Sequence, residues 1–289
     1  MTYSIVGADL NSREVGGAGT SCLGGEDVFV IYGAVPGHGV VHAQAYYDLR
    51  ARQRATELLQ ADLPPVDILA NITQPSFDRD SDIRQYGVVD VLGRSAGFTG
   101  AATTPFAADR QGNANGFAYS VQGNILTSER VLSQAAGAFE TGGCDLAERL
   151  MNALQAGALG GEGDSRCTSQ GIPSDSAFLQ VESPSASLGG YLSLRVHSSG
   201  RDNPLPLLRA LFDGWRAEHP CPDAPANPPG EPNESSASPA PGCSCYLAGA
   251  EPVAMPTPIP TSGVLLGSLL VVAWRRHRTA RQLRPVKPA

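Results

Sequence analysis

Apolar and polar residues follow two different periods along residues 1–220. Runs of small and apolar residues predict strands, and apolar residues that recur at helical spacing predict amphipathic helices. The predicted strands cover residues 3–8, 15–21, 28–35, 39–45, 116–124, 176–182 and 191–197, with a hairpin over 86–100. The predicted helices cover residues 46–60, 64–73, 128–140, 145–158 and 205–219, with Pro65, Ser128 and Asp145 near the starts of three of them.

The order of these elements predicts the fold class. Blocks of strands are separated by two pairs of helices, and a single helix comes last. A parallel α/β fold would alternate strand and helix strictly, so the pattern favours an α+β sandwich of two sheets with helices outside.

The chain changes character after residue 220, which predicts three parts: 1–220, 221–262 and 263–289. Residues 221–262 contain 11 prolines in 42 positions, a composition that favours a disordered linker. Residues 263–274 are apolar, but a helix of twelve residues spans about 18 Å, less than the roughly 30 Å of a bilayer core. Because basic residues follow at once, we expect this apolar helix and the Arg-rich end to form a sorting or anchoring signal.

The distribution of charged residues limits the classes of partner that the chain is expected to bind. Residues 1–220 carry 15 Arg and 24 acidic residues, whereas residues 275–289 carry six basic residues and no acid. An acidic body argues against a nucleic-acid partner. Lys287 is the only lysine, so the body has no lysine that could act as a base or form a Schiff base.

Six cysteines are present, at 22, 144, 167, 221, 243 and 245, without the CxxC pairs of a zinc site. Cys144 and Cys167 flank a predicted helix and a Gly-rich loop, so we predict a disulfide between them and an oxidising compartment. The pairing of Cys22 and Cys221 stays open.

Thr2 is the candidate nucleophile, because it lies at the very start of the first predicted strand. A threonine hydroxyl needs a nearby base. A free α-amine, whose pKa is about 7.7–8.0, can serve as that base once Met1 has been removed. Ser21 ends the paired strand and can lie beside Thr2, while Gly123 and Asn124 are candidate donors to an oxyanion.

No metal or cofactor is expected. His38 and His42 share a face if both lie in one strand. However, no acidic or cysteine partner stands at a suitable spacing, so this pair is a poor candidate for a metal site.

Several stretches resemble a known bacterial family, domain of unknown function 1028. They include TYSIVGAD, GVVHAQA, QYGVVDVLGRSAGFTG and YSVQGNIL, and the resemblance runs through about residues 2–218. That family is assigned to the N-terminal-nucleophile (Ntn) hydrolases, so the resemblance implies a four-layer αββα fold and hydrolysis of an amide bond. The chain differs near residue 164, where an insertion before Ser176 carries Cys167.

The C-terminal end resembles the MYXO-CTERM sorting tag of myxobacteria. Gly242, Cys243 and Cys245 form a GCSC motif that precedes the apolar run and the arginines. The resemblance implies cleavage of the tail and display at the cell surface. The first residues do not form a signal peptide, so we expect the true start of an exported protein to lie upstream.

Two functions therefore stay open from the sequence. One is an amidohydrolase at the cell surface that acts on a small amide or peptide through Thr2. The other is a non-catalytic surface module, for binding or structure, on the same fold. In either case we expect the tail to engage the sorting machinery and the membrane, and self-association stays possible.

Overall fold

A computed structural model describes residues 2–24, 26–185, 191–198 and 202–221. The chain separates into two units, Met1–Pro229 and Gly230–Ala289, and every described residue lies in the first. The strands are β1 (Thr2–Asp9), β2 (Val15–Ser21), β3 (Tyr32–Val35), β4 (Gly39–Ala45), β5 (Arg84–Asp90), β6 (Ser95–Thr99), β7 (Ala108–Ala114), β8 (Phe117–Asn124), β9 (Ser176–Glu182) and β10 (Leu192–His197). The helices are α1 (Leu49–Gln60), α2 (Pro65–Thr73), α3 (Arg130–Thr141), α4 (Leu146–Ala156) and α5 (Leu205–Glu218).

The strands form two antiparallel sheets. The larger sheet has the order β10-β9-β2-β1-β8-β7, and the smaller has the order β3-β4-β5-β6. β1 lies near the centre of the larger sheet, and its residues from Thr2 to Ala8 are buried. The sequence of a strand that is covered on both faces is a near-continuous run of apolar and small residues. This pattern is the reason that β1, β2 and β4 could be predicted.

Three apolar clusters hold the sheets and helices together. α1 and α2 pack on the smaller sheet, and α3, α4 and α5 pack on the larger one. The third cluster lies between the sheets, where Val6 and Val15 of the larger sheet meet Val40 and Val89 of the smaller. The predicted α+β class with two facing sheets is therefore confirmed for the described residues.

Local polar groups determine where several helices begin. Asp48 accepts a hydrogen bond from the N–H of Arg50, and Asp145 accepts one from the N–H of Glu148, as capping residues do. Ser128 accepts from the N–H of Arg130, the first residue of α3.

Two predictions about strands were wrong. The segment predicted as one strand over 28–35 begins with a turn of 3₁₀-helix, Val28–Ile31, because the Asp27 side chain caps the N–H of Phe29 at 2.9 Å. β7 was not predicted, because its residues are mostly polar and it forms an edge of the larger sheet.

The predicted disulfide between Cys144 and Cys167 is also wrong. The structure joins Cys22 to Cys167 and Cys144 to Cys221. The physical reason is that a carboxylate oxygen of Asp164 accepts the N–H of Cys22 at 2.7 Å, which brings the loop of Cys167 to the end of β2. Cys144 lies between α3 and α4, where the chain that leaves α5 reaches it.

Apart from Cys221, the predicted linker lies outside the described residues, as does the predicted sorting signal with Gly242, Cys243 and Cys245. Within the described ranges, no helix combines the length and apolar content needed to cross a membrane.

His42 occupies the space between the two sheets. Its ring is fully buried and contacts the rings of Tyr32 and Phe178, edge to face. A Cβ on Gly17 would lie 2.4 Å from its Nε2, so this glycine makes room for the imidazole. Neither ring nitrogen has a hydrogen-bond partner among the described residues. His38 lies in the turn before β4 and pairs with Asp62 at 2.8 Å, so the two histidines do not share a strand.

Burial makes folding stability depend on the charge of His42. Loss of hydration lowers the pKa of His42 to about 3, from about 6.5 in an unfolded chain. Between these values the unfolded chain binds a proton that the folded protein does not, so stability falls as the pH drops below 6.5. We expect His42→Leu to reduce the loss of unfolding free energy between pH 7 and pH 5 by about 2 kcal/mol.

Urea unfolding at the two pH values measures this difference. His197→Gln is the matched control, because His197 is exposed. An identical loss of stability in wild type and His42→Leu would contradict the assignment.

Candidate active site

The pairing of β1 brings three predicted site residues together at one end of the larger sheet. Thr2 is the register partner of Asn124 in β8, and the register with β2 continues from the pair of Tyr3 and Thr20 towards Ser21. The Thr2 hydroxyl donates a hydrogen bond to Oγ of Ser21 at 3.3 Å. Thr2 is only 5% exposed, so its hydroxyl lies in a shielded position.

Gly123 has a different environment. It pairs with Tyr3 on one side and with Ala108 on the other, and the backbone of a strand with two neighbours is used by the ladder. A Cβ at this position would lie 2.7 Å from the Leu126 side chain. The absence of a side chain at Gly123 thus serves close packing.

A network of buried amide side chains supports Thr2 from the smaller sheet. Nε2 of Gln44 donates to the carbonyl oxygen of Thr2 at 3.2 Å and to Oε1 of Gln85 at 2.8 Å. Oε1 of Gln44 accepts from Oγ of Ser4 at 2.6 Å. Gln44 and Gln85 are buried, so these bonds replace the hydration that the amides lose.

Gln85 fixes the orientation of this network. Its Nε2 donates to the carbonyl oxygen of Gly123 at 2.8 Å, and a backbone carbonyl can only accept. Its Oε1 therefore faces the donors, Nε2 of Gln44 and Nδ2 of Asn124 at 3.0 Å. One glutamine thus determines which way the amide of Asn124 points.

Glycines on the smaller sheet make room for glutamine side chains of the larger sheet. A Cβ on Gly87 would lie 2.0 Å from Oε1 of Gln122, whose Nε2 donates to Oγ of Ser4 at 2.8 Å. A Cβ on Gly97 would lie 2.1 Å from Nε2 of Gln111. The sequence analysis did not predict these glutamines as part of the site. The signal available for them was the occurrence of Gln inside strands that are otherwise apolar.

Two buried carboxylates hold the loop that follows Ser21. Asp164 accepts the N–H of Cys22, and Asp175 accepts the N–H groups of Leu23 and Gly24, all at 2.7 Å. Both aspartates are 1% exposed. Together with the Cys22–Cys167 disulfide, these bonds fix the loop beside Thr2.

Two cavities lie near the end of β1 that carries Thr2, and they share one lining residue. The apolar cavity, of about 430 Å³, has a wall that includes Thr2, Leu23, Val28, Val30, Ile31 and Gln44. The polar cavity, of about 190 Å³, has a wall that includes Tyr46, Thr103, Thr104, Asn124, Ile125 and Arg166. Ala45 lines both, so the two cavities are neighbours.

The backbone between the cavities is strained. Ala45 has a φ of 69° and Ile125 has a φ of 48°, a region that residues with a Cβ rarely adopt, and least of all β-branched ones. Such strain costs of order 1–3 kcal/mol and is concentrated at functional sites. Hydrogen bonds from Ile125 N–H to the carbonyl of Thr104, and from Ser165 Oγ to the carbonyl of Ile125, hold this conformation.

The cysteine and acidic clusters do not offer a metal site. Among the described residues, two groups lie close enough to share an ion, Cys22 with Cys167 and Asp175, and Cys144 with Cys221 and Glu148. Both cysteine pairs are disulfides, whereas metal binding needs thiolates. The chemistry available at the end of β1 is instead that of a shielded hydroxyl.

The described part of the chain is thus an α+β domain whose candidate site is a threonine hydroxyl at the head of a central strand. The sequence profile of a family of unknown function, DUF1028, matches residues 2–207, and the chain belongs to that family.

A solved structure has a similar fold. The crystal structure of a DUF1028 protein from Silicibacter pomeroyi matches with a TM-score of 0.61 and 23% sequence identity. The match covers 74% of this chain and 89% of the other. No curated protein sequence matches the chain.

We expect removal of the two disulfides to affect the candidate site differently. Removal of a disulfide that closes a long loop costs about 2–5 kcal/mol, so we expect both Cys22→Ala/Cys167→Ala and Cys144→Ala/Cys221→Ala to lower the free energy of unfolding. We expect only the first variant to speed amide exchange at Leu23 and Gly24, whose N–H groups lie beside that disulfide.

Hydrogen-exchange mass spectrometry on both double variants makes the comparison. Equal exchange of the loop in the two variants would show that the first disulfide does not hold it.

We expect Gln85 to be essential to the network of buried amide side chains that supports Thr2. In Gln85→Leu the carbonyl of Gly123 and the amides of Gln44 and Asn124 lose a partner, so we expect a loss of about 3 kcal/mol or more. Gln53→Leu, on the exposed side of α1, should change stability by no more than about 0.5 kcal/mol. Denaturant unfolding measures both, and a similar small effect would rule out an essential role for Gln85.

Proposed function

We propose that the domain is an Ntn-type amidohydrolase with Thr2 as its nucleophile. The observation that carries this proposal is the Thr2 hydroxyl, held 3.3 Å from Ser21 at the mouth of the apolar cavity. Helices contact the outer faces of two facing sheets, so the layers follow the order helix, sheet, sheet, helix. This order supports the four-layer αββα architecture of that superfamily.

The proposed reaction begins when Met1 has been removed and the amine of Thr2 is free. The amine takes the proton of the Thr2 hydroxyl, directly or through a water, and Oγ1 attacks the carbonyl carbon of the amide. The C–N bond breaks, the leaving amine takes the proton, and an ester forms on Thr2. Water then hydrolyses the ester and restores the hydroxyl.

Neighbouring groups have defined parts in this proposal. Gln44 binds the carbonyl oxygen of Thr2, which fixes the main chain that carries both nucleophile and base. Ser21 is a hydrogen-bond partner of the hydroxyl. Asn124, whose Nδ2 donates one hydrogen to Gln85, is the proposed donor to the developing oxyanion through the second hydrogen of that amide.

We also propose that the domain works outside the cytosol, displayed at the cell surface. The two disulfides support this location, because disulfides persist in oxidising compartments. Removal of the residue before Thr2 and processing of the C-terminal end would then belong to the same maturation.

Thr2 substitutions test the mechanism in protein whose mature N-terminus has been sequenced. We expect a β-lactone probe to add its mass to Thr2 at a rate that rises with pH through about 7–8, the range in which the amine loses its proton. Thr2→Ser should keep part of the reaction, and Thr2→Ala should lose it by roughly 1,000-fold or more. Intact-mass spectrometry measures the adduct.

Thr73→Ala serves as the control and should react like wild type, because the Thr73 hydroxyl donates to the carbonyl of Leu69 within α2. A mature protein that retains Met1 would exclude the amine as base. A folded, processed protein without an adduct would favour the alternative of a non-catalytic binding module.

A further inference from the structure

The two cavities differ in charge as well as in size. Leu23, Val28, Val30 and Ile31 give the apolar cavity an aliphatic wall, and carboxylates of Glu26 and Asp27 stand among its other lining residues. The polar cavity has hydroxyl groups and one guanidinium, that of Arg166. A ligand with one apolar and one anionic end therefore fits best with its apolar end in the apolar cavity and its anionic end in the polar cavity.

Arg166 presents its positive charge to the polar cavity in a fixed orientation. Its Nε and Nη2 donate to the Asp164 carboxylate at 3.3 and 3.1 Å. The Asp164 side chain is only 2% exposed, whereas that of Arg166 is 41% exposed. The carboxylate is thus shielded from solvent while the guanidinium is partly exposed, and a planar guanidinium suits a carboxylate ligand.

Thr2 and its register partner line different cavities. Thr2 lines the apolar cavity, Asn124 lines the polar one, and Ala45 lines both. A substrate that spans Ala45 with its amide carbon at the Thr2 hydroxyl would have one substituent in each cavity.

Asp27 is paired with Arg195 at 3.6 Å, so it is the carboxylate of Glu26 that disfavours an anionic substituent on the apolar side. The anionic substituent is therefore assigned to Arg166.

We propose that the substrate class is N-acylated amino acids, with the acyl group in the apolar cavity and the carboxylate of the leaving amino acid at Arg166. This inference rests on the proposed function, since it takes the amide to be cleaved at Thr2. Hydrolysis breaks the amide C–N bond, and one water supplies the OH of the released fatty acid and the hydrogen of the released amino acid.

Three compounds test the class with the mature protein. N-octanoylglycine has both features, N-octanoylglycinamide lacks the carboxylate, and N-acetylglycine lacks the long acyl chain. We expect kcat/KM for N-octanoylglycine to exceed that of each other compound by about tenfold or more. Equal or faster hydrolysis of either comparison compound would overturn the proposal.

Variants assign each preference to its cavity. Arg166→Gln should remove the preference for the acid over the amide, and Arg166→Lys should restore part of it. Val30→Trp should slow hydrolysis of the octanoyl compound more than that of the acetyl one, because Val30 lines the apolar cavity. Val66→Trp is the matched control, since Val66 is an exposed valine on α2.

Binding separates this inference from the proposed hydrolysis. In Thr2→Ala, calorimetry should show N-octanoylglycine binding about tenfold more tightly than N-octanoylglycinamide, whether or not the wild type turns it over. Selective binding without turnover in wild type would overturn the hydrolase proposal and keep the ligand class. Failure of N-octanoylglycine to bind selectively would overturn the ligand class, even if Thr2 reacts with the β-lactone.

Discussion

The pairing of β1 with β2 and β8 is the constraint on which the rest of the site depends. β1 pairs with β8 from Thr2 to Asp9 and with β2 from Tyr3 to Ala8, so its register cannot slip by one residue without turning its buried side chains to the other face. That register fixes Thr2 beside Ser21 and opposite Asn124. The helices that pack on the larger sheet stabilise the same arrangement from outside.

The contact between the two sheets is partly polar, and this is unusual for a core. Valines and Phe178 fill one part of it, while Gln44, Gln85 and Gln122 fill the part nearest Thr2. Buried amides are tolerated only when their donors and acceptors are satisfied. The benefit is geometric, because a satisfied network has a single arrangement and transmits it to the main chain of Thr2.

Much of the fold was predictable, since covered strands and capped helices have local signals. The hairpin of β1 and β2, and hence the approach of Ser21 to Thr2, could be read from residues 3–21. The amide network could not, because Gln44 and Gln85 are 41 residues apart and meet only when β4 pairs with β5. The cysteine pairs were missed for the same reason: a separation of 145 residues between Cys22 and Cys167 has no local signal.

The main-chain N–H groups of Leu23 and Gly24, rather than the Leu23 side chain, hold the loop that forms one wall of the apolar cavity. The carboxylate of Asp175 receives main-chain N–H groups, which every residue except proline provides. Leu23 and Glu26 can therefore be exchanged in evolution without loss of the bonds that position the loop. Under the proposed function, the lining of the apolar cavity and the group of Thr2, Ser21 and Asn124 are separable parts of the chain, so the lining can change while that group is kept.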